Sequence, residues 1–381
     1  MRLLRSDRFP AVLLLAAAAL GLIVANTAAG PAVIDAFAVH IGPAPFDLSL
    51  THWVQDGLLA IFFFSVSVEL QYELTRGELG SARRAALPAI AATGGVLVPI
   101  AIYLAIAAPA GFAPGWPIPT ATDIAFALGV LAMFGRGLPS RVRVFLLALA
   151  ILDDIVGIVF IAVLFATDLN LWMLLLGIVT ATAFAIVSRM IDTRIRRGLV
   201  VVLILLAIAT WVFVFLSGVH ATIAGVVLGL AMAQSPALVA RHALEPWING
   251  LILPLFAFTA ALVPIPGGGE GLSPAFWAIL VALPVGKLVG VAGAGWLGQR
   301  LLGGPRLATG DLLAAGALAG IGFTVSLLLA ALAFADDAAA RDQATLGVLA
   351  GSMIALAVSA VLVSLRARHH RRIAATSQET P

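Results

Sequence analysis

The sequence predicts an all-α polytopic membrane protein of about twelve transmembrane helices, and three observations support this fold class. Hydrophobic residues make up 62% of the 381 residues and charged residues only 11%, whereas soluble domains usually carry about a quarter of their residues as charges. The mean hydropathy is +1.10. The apolar residues fall in runs of about 20, the length that an α-helix needs to cross the hydrocarbon core of a bilayer. Arginines lie mostly between these runs.

Twelve apolar runs give the predicted helices in chain order. They cover residues 10–27, 52–75, 85–107, 119–134, 142–166, 170–189, 198–216, 218–234, 246–263, 275–299, 311–334 and 343–366. Because each crossing uses about 20 residues, only short connections are left between the helices. The expected organisation is therefore one integral-membrane domain over residues 1–381, with no separate soluble domain.

The arginines predict the orientation of the chain. Clusters of arginine lie at alternate ends of the predicted helices, and only Arg341 breaks the pattern. Because loops rich in arginine stay in the cytoplasm, we expect a bacterial inner-membrane protein with both termini inside. An alternative interpretation takes Ala11–Ala25 as part of a cleaved signal peptide, which would leave an odd number of crossings.

The composition also limits the ligands. The chain has no cysteine, which excludes disulfides and thiolate metal sites, and its six histidines are scattered. Neither a cofactor nor a structural zinc site is expected. The pI is near 10.1, but the basic residues form no single patch, which argues against nucleic-acid binding. Membrane lipids are the expected surroundings.

Residues 37–50 form the first external loop in this topology. Its centre, Gly42-Pro43-Ala44-Pro45, consists of turn-forming residues, so a small β-hairpin is expected, with an ordinary loop as the alternative. A homodimer formed through this loop is a further expectation.

Four ionisable residues stand out within the predicted helices: Asp123, Asp153, Asp154 and Lys287. Desolvating a charge costs several kcal/mol unless a partner or water is present, which makes each of them a candidate for a functional site. Lys287 is the only lysine of the chain, and a buried lysine needs a carboxylate nearby to remain charged. A purely structural pair between this lysine and Asp153 is the alternative.

Asp153 and Asp154 lie near the middle of the predicted helix 142–166. Adjacent residues of a helix point about 100° apart, so these two side chains cannot share a face. One can line a cavity while the other turns toward another helix. We therefore expect the two carboxylates to have different partners.

Asp123 lies in a segment that is poorly suited to a continuous helix. Pro117 and Pro119 precede it, and Thr120 and Thr122 add hydroxyl groups. A helix broken inside the bilayer survives only where its freed backbone groups face protein or a water-filled cavity, and there they become ion ligands. The fourth helix is therefore predicted to be interrupted. In the alternative, the segment is a proline-rich helix cap with Asp123 at the surface.

A second interruption is predicted in the eleventh helix, where glycines and hydroxyl residues replace bulky side chains over residues 316–326. Such glycines can also mark close helix packing alone. In the predicted topology the fourth and eleventh helices cross the bilayer in opposite directions, an arrangement typical of inverted-repeat transporters with a site at the membrane midplane. No repeat is visible in the sequence itself, so the symmetry rests on topology.

The chain resembles the NhaA family of sodium/proton antiporters along its length. The matching segments are residues 62–73, 87–92, 119–129, 147–154, 217–222, 253–258 and 320–324. The resemblance implies the NhaA-type inverted-repeat fold, with the fourth and eleventh helices unwound and crossing near the membrane centre. It implies that Asp154, as the main ligand, and Asp153 bind the transported Na+ or Li+, with Thr122 in the same motif. It also implies that Asp123 balances positive helix ends, and that Lys287 balances negative ends and pairs with Asp153.

Departures from the family concern regulation. Glu69 and Glu73 are candidates for pH-response residues at the cytoplasmic funnel, with plain interfacial charge as the alternative. Family members often place basic residues after Glu69, whereas Gln71 and Tyr72 stand here.

Two more departures lie near the ninth helix. Arg241 replaces an acidic residue that the family links to pH response, and Glu245 stands where histidine is familiar. His220 matches the family, but a lone histidine near a helix start is more often a capping or packing group. The pH profile is therefore left open.

The predicted function is a secondary Na+(Li+)/H+ antiporter, not an enzyme. Both cations are hard ions that prefer oxygen ligands, and a proton competes with them for Asp154. If the site opens to one side at a time, external protons drive sodium out of the cytoplasm without ATP.

Two other classes of membrane protein share some of these sequence features. An intramembrane aspartyl protease needs two aspartates that face each other across a cleft, which the adjacent Asp153 and Asp154 cannot provide. A sodium-coupled symporter would share the broken helices, but it needs a larger cavity with polar groups for an organic solute. Solute-stimulated uptake would distinguish a symporter from an antiporter.

Overall fold

A computed structural model describes residues 9–191, 196–267, 271–303 and 306–376 of the chain. The helices are α1 Phe9–Ala25, α2 Gly30–Ala38, α3 Leu50–Thr75, α4 Ala82–Ala107, α5 Ile124–Phe134, α6 Ser140–Leu164, α7 Leu171–Ser188, α8 Arg196–Leu216, α9 Thr222–Ala231, α10 Gln234–Ala260, α11 Pro274–Leu302, α12 Thr309–Ala319, α13 Phe323–Ala333 and α14 Ala338–Thr376. Single π-helical segments lie inside three of them, at Trp53–Leu58 in α3, Ile248–Ile252 in α10 and Ala282–Gly286 in α11. Short 3-10 turns lie at Glu78–Gly80, Ala108–Ala110, Ala113–Gly115 and Ile118–Thr120. The strands are β1 His40–Ile41 and β2 Leu48–Ser49.

The predicted fold class, an all-α polytopic membrane protein, is confirmed. Within the described residues nine helical segments are long and apolar enough to cross a membrane, and up to eleven if each bent pair of helices is one span. The bent pairs are α1 with α2, at 112°, and α12 with α13, at 48°. Helix α9 is apolar but shorter, with 10 residues. The total of about twelve spans stays a prediction.

Two helix boundaries differ from the prediction for a physical reason. Helix α10 begins at Gln234, twelve residues before the predicted start at 246, because its first part carries polar side chains such as Arg241 and His242 and so lowers the local hydropathy. Helix α14 continues to Thr376, ten residues beyond the predicted end at 366, through a run rich in arginine and histidine. Hydropathy marks the membrane-crossing part of a helix, and helix formation continues beyond it.

The chain packs into two compact units. Among the described residues, the first unit contains Ala16–Gly77 and 158–262, and the second contains residues 9–15, 78–157 and 263 onward. Helices α1 and α6 each begin in the second unit and end in the first. Each unit therefore combines separate stretches of the sequence. The single domain over residues 1–381 stays a prediction.

The first unit contains the predicted hairpin. Strand β1 pairs antiparallel with β2, with His40 opposite Ser49, which confirms the hairpin over the ordinary loop. Phe46 packs on Trp211 and Phe215 of α8, with ring centroids 6.0 and 5.4 Å apart. A homodimer through this loop stays a prediction.

In the second unit, glycines bring α4 and α11 into backbone contact. A Cβ at Gly94 would overlap the Gly290 carbonyl, and a Cβ at Gly290 would overlap the Gly94 carbonyl. Small residues at such positions allow membrane helices to pack through their backbones. This close packing fixes α11, which carries Lys287, against α4.

Candidate functional site: two helix breaks around buried carboxylates

All residues of the site described next belong to the second unit. The first break consists of the turn Ile118–Thr120 and the extended residues 121–123 that precede α5. Pro117 and Pro119 explain it, because proline lacks an N–H group and its ring clashes with the preceding helical turn. The second break lies between the end of α12 at Ala319 and the start of α13 at Phe323. Both interruptions therefore lie where the sequence predicted them.

The two breaks satisfy each other's backbone groups. The Asp123 N–H donates to the Ile321 carbonyl at 2.6 Å, joining residues that are 198 positions apart in the sequence. At Gly322, a Cβ would lie 2.7 Å from the Leu283 side chain and 3.1 Å from the Ala121 carbonyl. A side chain at this position would displace its neighbours, which explains the glycine at position 322.

Asp123 caps two helices at once. Its Oδ1 accepts from the Phe126 N–H at 3.2 Å, at the start of α5. Its Oδ2 accepts from the Thr324 N–H at 3.1 Å and from the Thr324 hydroxyl at 2.7 Å, at the start of α13. A carboxylate in this position neutralises the positive ends of both helices. Asp123 is thus a helix cap, but it is buried, with 4% exposure, instead of lying at the surface.

Asp153 forms the centre of a buried ionic group. Its Oδ2 accepts from the Lys287 Nζ at 2.6 Å, and both side chains are fully buried. The Thr122 hydroxyl lies 2.7 Å from the same oxygen and 2.8 Å from the Ala319 carbonyl. A hydroxyl has one hydrogen, so Thr122 cannot donate to both acceptors at the same time. The Asp153 Oδ1 accepts no hydrogen bond from any described residue.

Local structure explains how Lys287 reaches this place. It directly follows the π-helical segment Ala282–Gly286, which contains Pro284 and shifts the register of α11 by one residue; such segments are frequent at functional sites. A Cβ at Gly95 of α4 would lie 3.7 Å from the Lys287 Cδ. The lysine stem therefore runs along the glycine face of α4.

Asp154 differs from its neighbour in burial. Asp153 is buried, with 1% exposure, whereas Asp154 is only half-buried. Adjacent residues of a helix point about 100° apart, which accounts for this difference in exposure. Different partners for the two carboxylates stay a prediction. Among the described residues, no group of three or more His, Asp or Glu side chains is arranged to hold a resident metal ion.

The candidate regulatory residues lie in the first unit. Glu69 forms an ion pair with Arg241 at 2.8 Å, and each side chain is about one-third exposed. The Gln71 amide donates to the carbonyls of Leu230 and Met232, at 2.7 and 2.8 Å, and so ties α3 to the end of α9. Gln71 and Arg241, two of the positions expected to depart from the family, thus make specific contacts.

The other residues of this unit that the sequence singled out are described mainly by their exposure. Tyr72 is exposed and Glu245 is half-buried. Glu73 is half-buried on α3. The His220 Nδ1 lies 2.7 Å from the Thr222 hydroxyl at the start of α9, as expected for a capping group.

Sequence reasoning missed two clusters of ionisable side chains. The first is in the first unit, where the His220 Nε2 lies 3.2 Å from the Asp56 carboxylate. The signal was Asp56 itself, an acidic residue within the predicted helix 52–75, near the end predicted to face outside.

The second missed cluster is in the second unit, where Asp311 is buried at the start of α12. The Arg366 Nε donates to Asp311 Oδ1 at 2.9 Å, and the His370 Nε2 lies 3.0 and 3.1 Å from its two oxygens. Asp311 stood at a predicted helix end, where carboxylates are commonplace, and its partners lie in a distant helix.

The fold and the site define a class of protein: a polytopic helical membrane protein in which buried carboxylates meet two interrupted spans, the construction expected of secondary transporters. The family model described as Na+/H+ antiporter 1 matches residues 1–363. The chain belongs to this family of transporters.

Curated relatives agree with the family assignment along almost the whole chain. A protein named Na(+)/H(+) antiporter NhaA 2 from Clavibacter michiganensis subsp. michiganensis is 53% identical, over 99% of this chain and 95% of the relative. Proteins named Na(+)/H(+) antiporter NhaA from Tropheryma whipplei and Thermobifida fusca are 43% and 42% identical, over 95% and 98% of this chain and 95% of each relative.

Proposed function

We propose that this protein is a Na+(Li+)/H+ antiporter of the bacterial inner membrane, with both termini in the cytoplasm and the NhaA-type inverted-repeat fold. It extrudes sodium from the cytoplasm in exchange for external protons. The names of its relatives support sodium/proton exchange. The observation that carries the proposal is the cluster of oxygen atoms from Asp153, Thr122 and Ala319 at the two helix breaks, with Asp154 next to Asp153 in the sequence of α6.

The proposed cation site consists of oxygen ligands only. Asp154 is the main ligand, Asp153 contributes its second oxygen, and the Thr122 hydroxyl and the Ala319 carbonyl complete the set. Na+ and Li+ are hard cations, and such oxygens are the ligands they prefer. A carboxylate oxygen that holds a proton is a poor cation ligand, so proton and cation compete for the same aspartates.

Exchange follows from this competition if the site faces one side at a time. Sodium that enters from the cytoplasm displaces protons to that side. Protonation from outside then releases sodium outward, so the proton gradient drives extrusion. Lys287 compensates the charge of Asp153 while the site is empty, and Asp123 keeps the N-terminal ends of α5 and α13 neutral throughout the cycle.

The direct test measures collapse of a proton gradient in everted membrane vesicles on adding Na+, Li+ or K+. In the wild type we expect Na+ and Li+ to dissipate the proton gradient. Asp154→Asn should abolish the response at normal protein levels, because an amide cannot exchange a proton. The matched control is Asp336→Asn, which removes the same charge from an exposed position and should respond like the wild type.

Two results would contradict the proposal. Near-normal exchange by Asp154→Asn would remove Asp154 from the mechanism. A wild type that shows no cation-dependent response at any pH tested would contradict the antiporter function itself.

A further inference from the structure

The last helix, α14, holds the second interrupted segment at two points. At the break, the Phe323 N–H donates to the Ser352 hydroxyl oxygen at 3.3 Å. At the start of α12, Arg366 donates to Asp311. A helix rises 1.5 Å per residue, so the two points on α14 are about 21 Å apart, which is close to the roughly 18 Å that α12 and the break would span as a helix. The spacing of the two contacts on α14 is therefore close to the length of the segment that they hold.

Packing at the break gives independent support for the contact. Ser352 is buried, with 2% exposure. A Cβ at Gly320 would lie 3.3 Å from the Ala355 Cβ, and residues 352 and 355 are on the same face of α14. Ser352 and Ala355, two small residues of this face of α14, thus lie against the break at Phe323 and Gly320.

The first N–H groups of a helix have no partner within that helix. At the start of α13, Asp123 accepts from the Thr324 N–H and Ser352 accepts from the Phe323 N–H. The start of α13 is therefore held from two sides, by Asp123 of the first break and by Ser352 of α14. Ser352 adds a neutral hydroxyl acceptor that does not belong to the carboxylates of the site.

We propose that Ser352 is a positioning residue for ion exchange. By fixing the start of α13 it keeps the Ala319 carbonyl, four residues earlier, within reach of Thr122 and the cation. The effect on transport rests on the proposed antiport function, whereas the effect on the break does not. The hydrogen bond of Ser352 goes to the Phe323 N–H, so Ser352 would act on the cation site only through the position of the break.

The first test is the dependence of exchange on sodium concentration. Ser352→Ala should raise the apparent KM for Na+ by about three- to tenfold, the range expected for one net hydrogen bond, with most of the maximal rate kept. Ser352→Thr keeps the hydroxyl and should restore the wild-type KM. The matched control is Ser359→Ala, because Ser359 is equally buried on the same helix but donates to Leu356 of its own helix.

The second test does not depend on transport. Amide hydrogen exchange over residues 320–325 should be faster in Ser352→Ala than in the wild type or Ser359→Ala, because the Phe323 N–H loses its acceptor. Unchanged hydrogen exchange and an unchanged KM in Ser352→Ala would overturn the proposal. If Ser352→Ala is not recovered folded, Ser352→Cys, with a weaker acceptor, replaces it in both tests. A wild type without sodium-driven exchange would refute the antiport function, while the hydrogen-exchange comparison would still decide the role of Ser352.

Discussion

The second unit contains two buried aspartates with basic partners, and they are built differently. Asp153 and Lys287 are both fully buried, and the Asp153 Oδ1 accepts no hydrogen bond from a described residue. Asp311 is also buried, but its partner Arg366 is 20% exposed, and both Asp311 oxygens have a neighbour in His370 or Arg366. Each carboxylate oxygen of Asp311 thus has a hydrogen-bonding partner, as expected of a structural anchor. The Asp153 pair keeps an oxygen available for an ion or proton.

Breaking the Asp153 pair should give the largest effect. Lys287→Ala leaves a carboxylate with no counter-ion at a fully buried position, and breaking such pairs typically costs about 3–5 kcal/mol. We expect a clear loss of thermal stability in detergent. The matched control is Arg136→Ala, which removes an exposed cation from the same unit and should change stability little.

A double-mutant cycle shows whether this loss comes from the pair itself. Lys287→Leu combined with Asp153→Asn leaves no unpaired charge and should regain much of the stability, even if exchange is lost. Destabilisation that simply adds up from the two single variants would show that Lys287 and Asp153 do not interact.

The parts of this site that the sequence predicted are those that depend on nearby residues, and the parts that it missed depend on contacts between distant segments. The scarcity of charge identified Lys287 and Asp153, and local chemistry identified the breaks, because proline and glycine act on their own backbone. The contact between Asp123 and Ile321 was not predictable from composition, because it joins two segments whose pairing depends on the packed fold. Asp311 was missed for the same reason.

The fold shows the same limit outside the site. The bend between α1 and α2 follows a short polar and small stretch, Asn26-Thr27-Ala28-Ala29, that resembled an ordinary helix end. The start of α10 was placed too late because hydropathy does not detect the amphipathic part of a helix. Patterns of apolar residues thus predicted which segments cross the membrane, but not the bends between them or the polar extensions.

Removing the Asp311 anchor should cost less than removing Lys287. In Asp311→Asn the amide oxygen can still accept from Arg366, and the partly exposed Arg366 can turn toward water. We expect a loss of about 1.5–3 kcal/mol, the range for hydrogen bonds to charged groups, measured by thermal unfolding. Exchange activity of the folded protein should persist, and Asp336→Asn is again the matched control. A loss as large as that of Lys287→Ala would show that Asp311 is as dependent on its partner as Asp153 is.

Asp123 provides the smallest expected effect and the sharpest form of the comparison, because it is a buried carboxylate whose hydrogen-bond partners among the described residues are neutral. It accepts from two N–H groups and one hydroxyl at the starts of α5 and α13, so helix ends take the place of a lysine or arginine. Asp123→Ala should weaken apparent cation binding or stability by about 1–2 kcal/mol, the upper range for a charge at helix ends, while sodium-dependent exchange continues. Both quantities can be measured on one preparation, by titrating Na+ against the proton gradient and by thermal unfolding. A folded Asp123→Ala protein that binds Na+ but exchanges none would mean that Asp123 itself carries protons, and it would then belong with Asp153 and Asp154 instead of with the anchors.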